Sequence, residues 1–182
     1  MKMLYTHKEL EKLLSSDYQI KKAISSGKFF KIERGIYSSM QRVHPFEVIM
    51  KKYPNAVVTM DSAFYLYGFT DVIPDKTYLA TKRDAARIVD KSIVQVLVLE
   101  KLFEIGKTQM DFESALISIY DKERMLIELV RNKQRMGFDY YKEIIGSYRK
   151  VIHKLDIRNI EDYAGMFNSE NYIFKTIQEE VF

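Results

Sequence analysis

The chain contains no cysteine, which excludes disulfides and cysteine-based zinc sites. Histidine is scarce: His7, His44 and His153 stand singly, with no second ligand at helical or hairpin spacing. They are expected to be surface or core residues, and neither a metal nor a cofactor is expected. The seven glycines are dispersed, with no Gly-x-Gly or Gly-Lys-Ser setting, so a phosphate-cradling loop is absent. Ser62 stands between Asp61 and Ala63 without flanking glycines, which argues against a nucleophile elbow. No apolar run approaches the length of a membrane span, and the start, Met1-Lys-Met-Leu-Tyr-Thr-His, lacks an apolar signal region. A cytoplasmic protein with no membrane partner is expected.

At 182 residues, 47% hydrophobic and 30% charged, the chain is long enough to bury a real core. Its net charge of +4 is modest but unevenly spread: residues 1–45 hold nine Lys/Arg against four acids, leaving 46–182 close to neutral. A basic head on a near-neutral body is the asymmetry of a nucleic-acid-binding module.

The head resolves into three elements. Thr6-His-Lys-Glu9 is a capping box opening a first helix, with Leu10, Leu13 and Leu14 expected on one face. Ser16-Asp-Tyr-Gln19 repeats the device for a second helix, whose Ile20, Ala23 and Ile24 should face inward and whose left-handed stop is Gly27. The tight Ser15-Ser16 junction makes the pair a helix–turn–helix unit. The second helix then exposes Tyr18, Gln19, Lys21, Lys22 and Ser25, types that hydrogen-bond base edges and phosphates. In Lys28-Phe-Phe-Lys-Ile-Glu-Arg-Gly-Ile-Tyr37, Phe30, Ile32 and Ile36 alternate with Lys31 and Glu33, a strand period, and Arg34-Gly35 makes the turn. A hairpin directly after a recognition helix is a wing, with Lys28, Lys31 and Arg34 set to grip phosphates. Only five residues precede Thr6, so the helix that usually opens such a module is missing; His44–Tyr53, with Phe46, Ile49 and Met50 on one face, could supply the support.

The body alternates strand and helix. Expected elements are a strand at Ala56–Thr59, a short helix at Ala63–Tyr67 capped by Asp61 or Ser62, and strands at Thr77–Ala80, Ile93–Leu99 and Leu116–Tyr120. Ile93–Leu99 reads as a buried central strand. A helix from Asp121 turns Met125, Leu126, Leu129 and Val130 inward, and three further helices span Asp139–Ile152, Asp156–Phe167 and Ser169–Phe182. The fold class is therefore α+β: a winged helix–turn–helix-like module over 1–43, then a small mixed sheet covered by a C-terminal helical tail over 44–182.

Three segments carry a family resemblance. Gly27–Tyr37 resembles the wing of the AbiEi family of antitoxins. Ser62-Ala-Phe-Tyr-Leu-Tyr-Gly-Phe-Thr-Asp-Val-Ile-Pro74 resembles that family's S-A-x-x-L-x-G-L-T-D-x-x-P stretch, and Asp121-Lys-Glu-Arg-Met-Leu-Ile-Glu128 its E-R-T-L helix start. The departures are the missing first helix, Met125 in place of Thr and Glu128 in place of Asp. The resemblance implies an antitoxin of a type IV toxin–antitoxin or abortive-infection system. Its head would repress the operon by binding promoter repeats in double-stranded DNA, and its body would counter a nucleotidyltransferase-like toxin. The expected function is thus a DNA-binding repressor and not an enzyme. One alternative is a metal-dependent nuclease, but Leu97-Val-Leu-Glu100-Lys101 puts the acid and the lysine on opposite faces of a strand. A pure protein-interaction module is the other, and it leaves the head's cations without a use.

Overall fold

A computed structural model describes residues 4–113 and 115–182; Lys2, counted in the head's charge, lies outside them. The fold is α+β with two small sheets. Two compact units divide it. The first comprises the described residues through Asn55 with Asp111–Ile117, the second Ala56–Met110 with Ser118–Phe182.

In the first unit, β1 (Leu4–Thr6) leads directly into α1 (His7–Leu14), followed by α2 (Asp17–Ser25), β2 (Phe30–Glu33), β3 (Ile36–Ser38) and α3 (Pro45–Lys52). Thr6 closes the expected capping box: its Oγ1 accepts from Glu9 N at 3.3 Å, and Glu9 Oε2 accepts from Thr6 N at 2.8 Å. At Ser16 only half the device forms, Ser16 Oγ accepting from Gln19 N at 3.3 Å. Gly27 stops α2 at φ 73° and Gly35 turns the hairpin at φ 80°, conformations that a Cβ disfavours. The sheet runs β1-β3-β2, antiparallel throughout. Leu10, Ile20, Ala23, Phe29 and Tyr37 form the core beneath it, with Tyr5, Leu14 and Ile24 packed alongside. Leu13 does not join them: it is 56% exposed, because the core meets α1 along the Leu10–Leu14 stripe and Leu13 projects past its other edge. α3 packs against β1. Pro45 sits at its first position, and His44 Nδ1 caps it by accepting from Phe46 N at 3.3 Å.

The five-stranded sheet has the order β6-β5-β4-β8-β7, built from β4 (Val57–Val58), β5 (Thr77–Lys82), β6 (Ile93–Val98), β7 (Lys107–Phe112) and β8 (Ala115–Tyr120). β4 pairs antiparallel with β5 and parallel with β8, while β5 and β6 are parallel. Two expectations are corrected. The apolar run at Ile93–Leu99 is an edge strand and not the central one, with Leu97 57% and Leu99 44% exposed; the two-residue β4, wholly buried, holds the centre. α4 (Met60–Leu66) begins at once after β4 with Thr59 as N-cap, so neither Asp61 nor Ser62 caps it. Ser62 Oγ instead accepts from Tyr78 N at 2.9 Å, joining α4 to β5. The short α5 (Glu100–Phe103), like β1 and β7, is absent from the sequence reading.

α6 (Lys122–Arg131) is capped by Asp121 Oδ1, which accepts from Arg124 N at 2.7 Å. Residues 124 to 130 are all buried, as a helix packed on several sides requires. Its partners include α4 and two of the following helices, α7 (Phe138–Val151), α8 (Ile157–Gly165) and α9 (Glu170–Glu180), namely α8 and α9.

Candidate nucleic-acid interface

The eight side chains expected to meet DNA (Tyr18, Gln19, Lys21, Lys22, Ser25, Lys28, Lys31 and Arg34) are all exposed. The reason lies in the helical period. Ile20 and Ala23 bury one side of α2, so Tyr18, Lys22 and Ser25, at i, i+4 and i+7, run along the opposite side. Lys21 lies beside that stripe and Gln19 on its flank. Ser25 Oγ donates to Lys22 O at 2.9 Å, leaving the hydroxyl oxygen as an acceptor for a base or a phosphate-bound water. Lys31 is on the outward side of β2 and Arg34 in the two-residue turn.

Charge pairing separates these cations from the acids of the same unit. Glu9 Oε2 meets Lys51 Nζ at 2.6 Å, and Glu33 Oε1 meets Lys52 Nζ at 3.1 Å, both lysines in the last turn of α3. Asp17 faces His7 Nε2 at 2.9 Å. Lys21, Lys22, Lys28, Lys31 and Arg34 have no acidic partner among the described residues. α3 therefore buttresses β1 and also neutralises two of the unit's carboxylates, so the positive field over α2 and the hairpin is not cancelled locally. The sequence reading proposed α3 as support and missed this second role. The signal was present in the paired Lys51-Lys52 at a helix C-terminus.

The remaining polar clusters serve the second unit. Arg124, fully buried, gives Nε and Nη2 to Glu128 Oε1 at 3.1 and 2.8 Å and Nη1 to the carbonyls of Leu102 and Ile105 at 2.7 and 3.1 Å. Its guanidinium lies 4.7 Å from the Tyr120 ring centroid and 4.9 Å from that of Phe167. Arg131 Nη1 takes the other oxygen, Glu128 Oε2, at 2.8 Å. The i, i+4, i+7 spacing of Arg124, Glu128 and Arg131 inside an apolar helix is a sequence signal that went unread. Elsewhere Asp61 is held above its ordinary carboxylate range by burial, against the pull of hydrogen bonds from Tyr78 and Tyr140. The acid and lysine weighed for a nuclease lie in α5, with Glu100 paired to the exposed Lys82 at 2.9 Å. Among the described residues no group of three or more His, Asp or Glu could hold a metal ion, and no helix is long and apolar enough to cross a membrane.

What the fold and these charges define is an α+β chain whose first unit holds two short helices and a hairpin with exposed cations. No family model and no curated protein matches it. Among solved structures it is similar to the crystal structure of the RV2827C protein from Mycobacterium tuberculosis, at a TM-score of 0.64 and 12% identity, over 98% of this chain and 72% of that one. At that identity the likeness is one of fold.

Proposed function

We propose that this chain is a DNA-binding transcriptional repressor of the antitoxin type. The observation that carries the reading is the set of five exposed cations on α2 and the β2–β3 hairpin, none paired with an acid among the described residues, while the acids Glu9 and Glu33 are engaged by α3. The order strand, helix, helix, hairpin, closed by a β1-β3-β2 sheet, supports a winged helix–turn–helix in which α3 takes over the supporting role of the usual first helix. On DNA, α2 would lie in the major groove, with Tyr18, Gln19, Lys21, Lys22 and Ser25 toward base edges and flanking phosphates. Lys28, Lys31 and Arg34 would grip the backbone or enter the minor groove.

The resemblance to AbiEi antitoxins extends the reading to autoregulation of an operon through promoter repeats, and to a body that counters a nucleotidyltransferase-like toxin. A shift assay with the chain's own upstream region against scrambled DNA tests it. Preferential retention of the upstream region at physiological salt is expected. Equal affinity for both would reduce the interaction to non-specific charge attraction.

A further inference from the structure

β6 is the last strand of its sheet, and it pairs with β5 in unbroken parallel register from Thr77↔Ile93 to Lys82↔Val98. Thr77 N donates to Ser92 O and Arg83 N to Val98 O, each at 2.9 Å. These two bonds fix the phase of the ladder. The even-numbered residues of β6 give their backbone groups to β5, and the odd ones turn theirs outward. Ile93 N is satisfied locally by Asp90 O at 3.1 Å, while the amides and carbonyls of Gln95 and Leu97 have no backbone partner among the described residues. The strand itself carries none of the sequence devices that blunt an edge: Ile-Val-Gln-Val-Leu-Val holds no proline and no charge, and its register shows no bulge. The preceding segment meets β6 through the Gln95 side chain, whose Oε1 accepts from Ile88 N at 2.8 Å and whose Nε2 donates to Ala86 O at 3.1 Å.

Beside the C-terminal half of this edge lies a cavity of about 470 Å³. Val96, Leu97 and Leu99 line it together with Arg131, Asn132 and Arg135. Its charged walls are Arg124, Arg131 and Arg135 against the single acid Glu128. Both oxygens of that acid are already taken, by Arg124 and Arg131. Arg135 is exposed and has no ion pair among the described residues. An open apolar edge thus ends in uncompensated positive charge.

We propose that β6 is the docking edge for an extended segment of a partner protein, adding as a sixth strand and carrying an acidic side chain to Arg131 and Arg135. Backbone bonds to Gln95 and Leu97 would supply affinity irrespective of sequence. The exposed Leu97 and Leu99 would select apolar residues at alternate positions, and the arginines would select the acid. This surface is independent of the DNA reading, since every residue it uses lies in the second unit.

The test uses the full chain and two fluorescent peptides, Glu-Val-Thr-Val-Thr-Val-Glu and Lys-Val-Thr-Val-Thr-Val-Lys, with a charge at both ends so that either strand direction brings one to Arg135. Fluorescence anisotropy should show the Glu peptide binding about tenfold or more tighter than the Lys peptide, and Arg135→Glu should reverse the preference. Hydrogen exchange should show the Gln95 and Leu97 amides becoming protected on binding. Leu97→Lys, checked for folding by circular dichroism, should abolish binding, and Arg135→Glu covers the case in which it does not fold. Absence of binding, equal binding of the two peptides, or protection elsewhere would overturn the proposal. So would concentration-dependent self-association that protects Gln95 and Leu97, which would make a second copy the occupant.

Discussion

In the first unit, Lys21, Lys22, Lys28, Lys31 and Arg34 stand in solvent, and α3, which neutralises two carboxylates there, contributes no fully buried residue. In the second, α6 buries seven consecutive residues, Arg124 and Glu128 among them. The first unit displays a set of unpaired cations, and the second encloses an ion pair. An exposed cation contributes little to stability and can be given to a partner, whereas a buried ion pair is committed to the fold. Binding and stability should therefore respond to substitution in opposite ways in the two units.

The largest effect is expected at Arg124. Arg124→Met leaves Glu128 facing the interior with Arg131 as its one remaining guanidinium partner, and frees the carbonyls of Leu102 and Ile105. A loss of about 3–5 kcal/mol in urea unfolding is expected. The same measurement on Lys22→Ala should stay within about 0.5 kcal/mol of the parent. A mild Arg124→Met would break the contrast between the units.

Leu10 and Leu13 carry the contrast inside a single helix. Leu10→Ala should destabilise by about 2–5 kcal/mol, since Leu10 is fully buried in the head's core. Leu13→Ala, at a 56% exposed position, should shift unfolding by no more than about 0.5 kcal/mol. Comparable losses at both sites would restore the three-leucine face that the sequence suggests.

That misreading shows where sequence reasoning holds. The capping box at Thr6–Glu9, the stops at Gly27 and Gly35 and the inward Ile20 and Ala23 are local matters of backbone chemistry and helical period, and all were legible. So was the exposure of the eight candidate DNA-facing residues, because they interleave with the apolar positions. β1 was not legible: three residues become a strand only by meeting β3, thirty or more positions away. The apolar run of β6 looked central because burial on both faces and exposure at an edge are written in the same residues, and only the neighbouring strands decide. The Glu9–Lys51 and Glu33–Lys52 pairs depend on α3 reaching β1, a tertiary fact no spacing announces.

A smaller effect, on binding alone, is expected on the exposed charges. Lys22→Ala and Gln19→Ala should narrow the gap between upstream and random DNA by about 1–3 kcal/mol each if the side chain reads a base. Lys31→Ala and Arg34→Ala should weaken binding to every sequence and flatten its logarithmic salt dependence by about 0.9 for each phosphate no longer neutralised. Measured salt slopes that match the parent in both hairpin variants would remove the β2–β3 hairpin from the proposed interface.

The smallest effect is expected at Glu180, a body carboxylate near the surface. Burial pushes its pKa up, but the hydrogen bonds from Lys133 and Tyr141 prevail and hold it below its ordinary value of 4.5. Tyr141 OH donates to Oε2 at 2.7 Å. A carboxyl whose folded pKa is depressed contributes stability above its unfolded value, and that contribution disappears as pH falls through the folded one. Glu180→Gln should therefore be less stable than the parent at neutral pH, by under about 1 kcal/mol because solvent screens the pair. The difference should close as pH drops below 4.5. Asp61 and Asp121 shift upward through burial and stabilise in the opposite direction as pH falls, so the quantity to follow is the gap between variant and parent, which subtracts them. A gap unchanged well below 4.5 would mean that Glu180 acts through its hydrogen-bond geometry and not its charge. The body would then keep even its surface carboxylate for shape, a sharper division from the head than its buried pair alone implies.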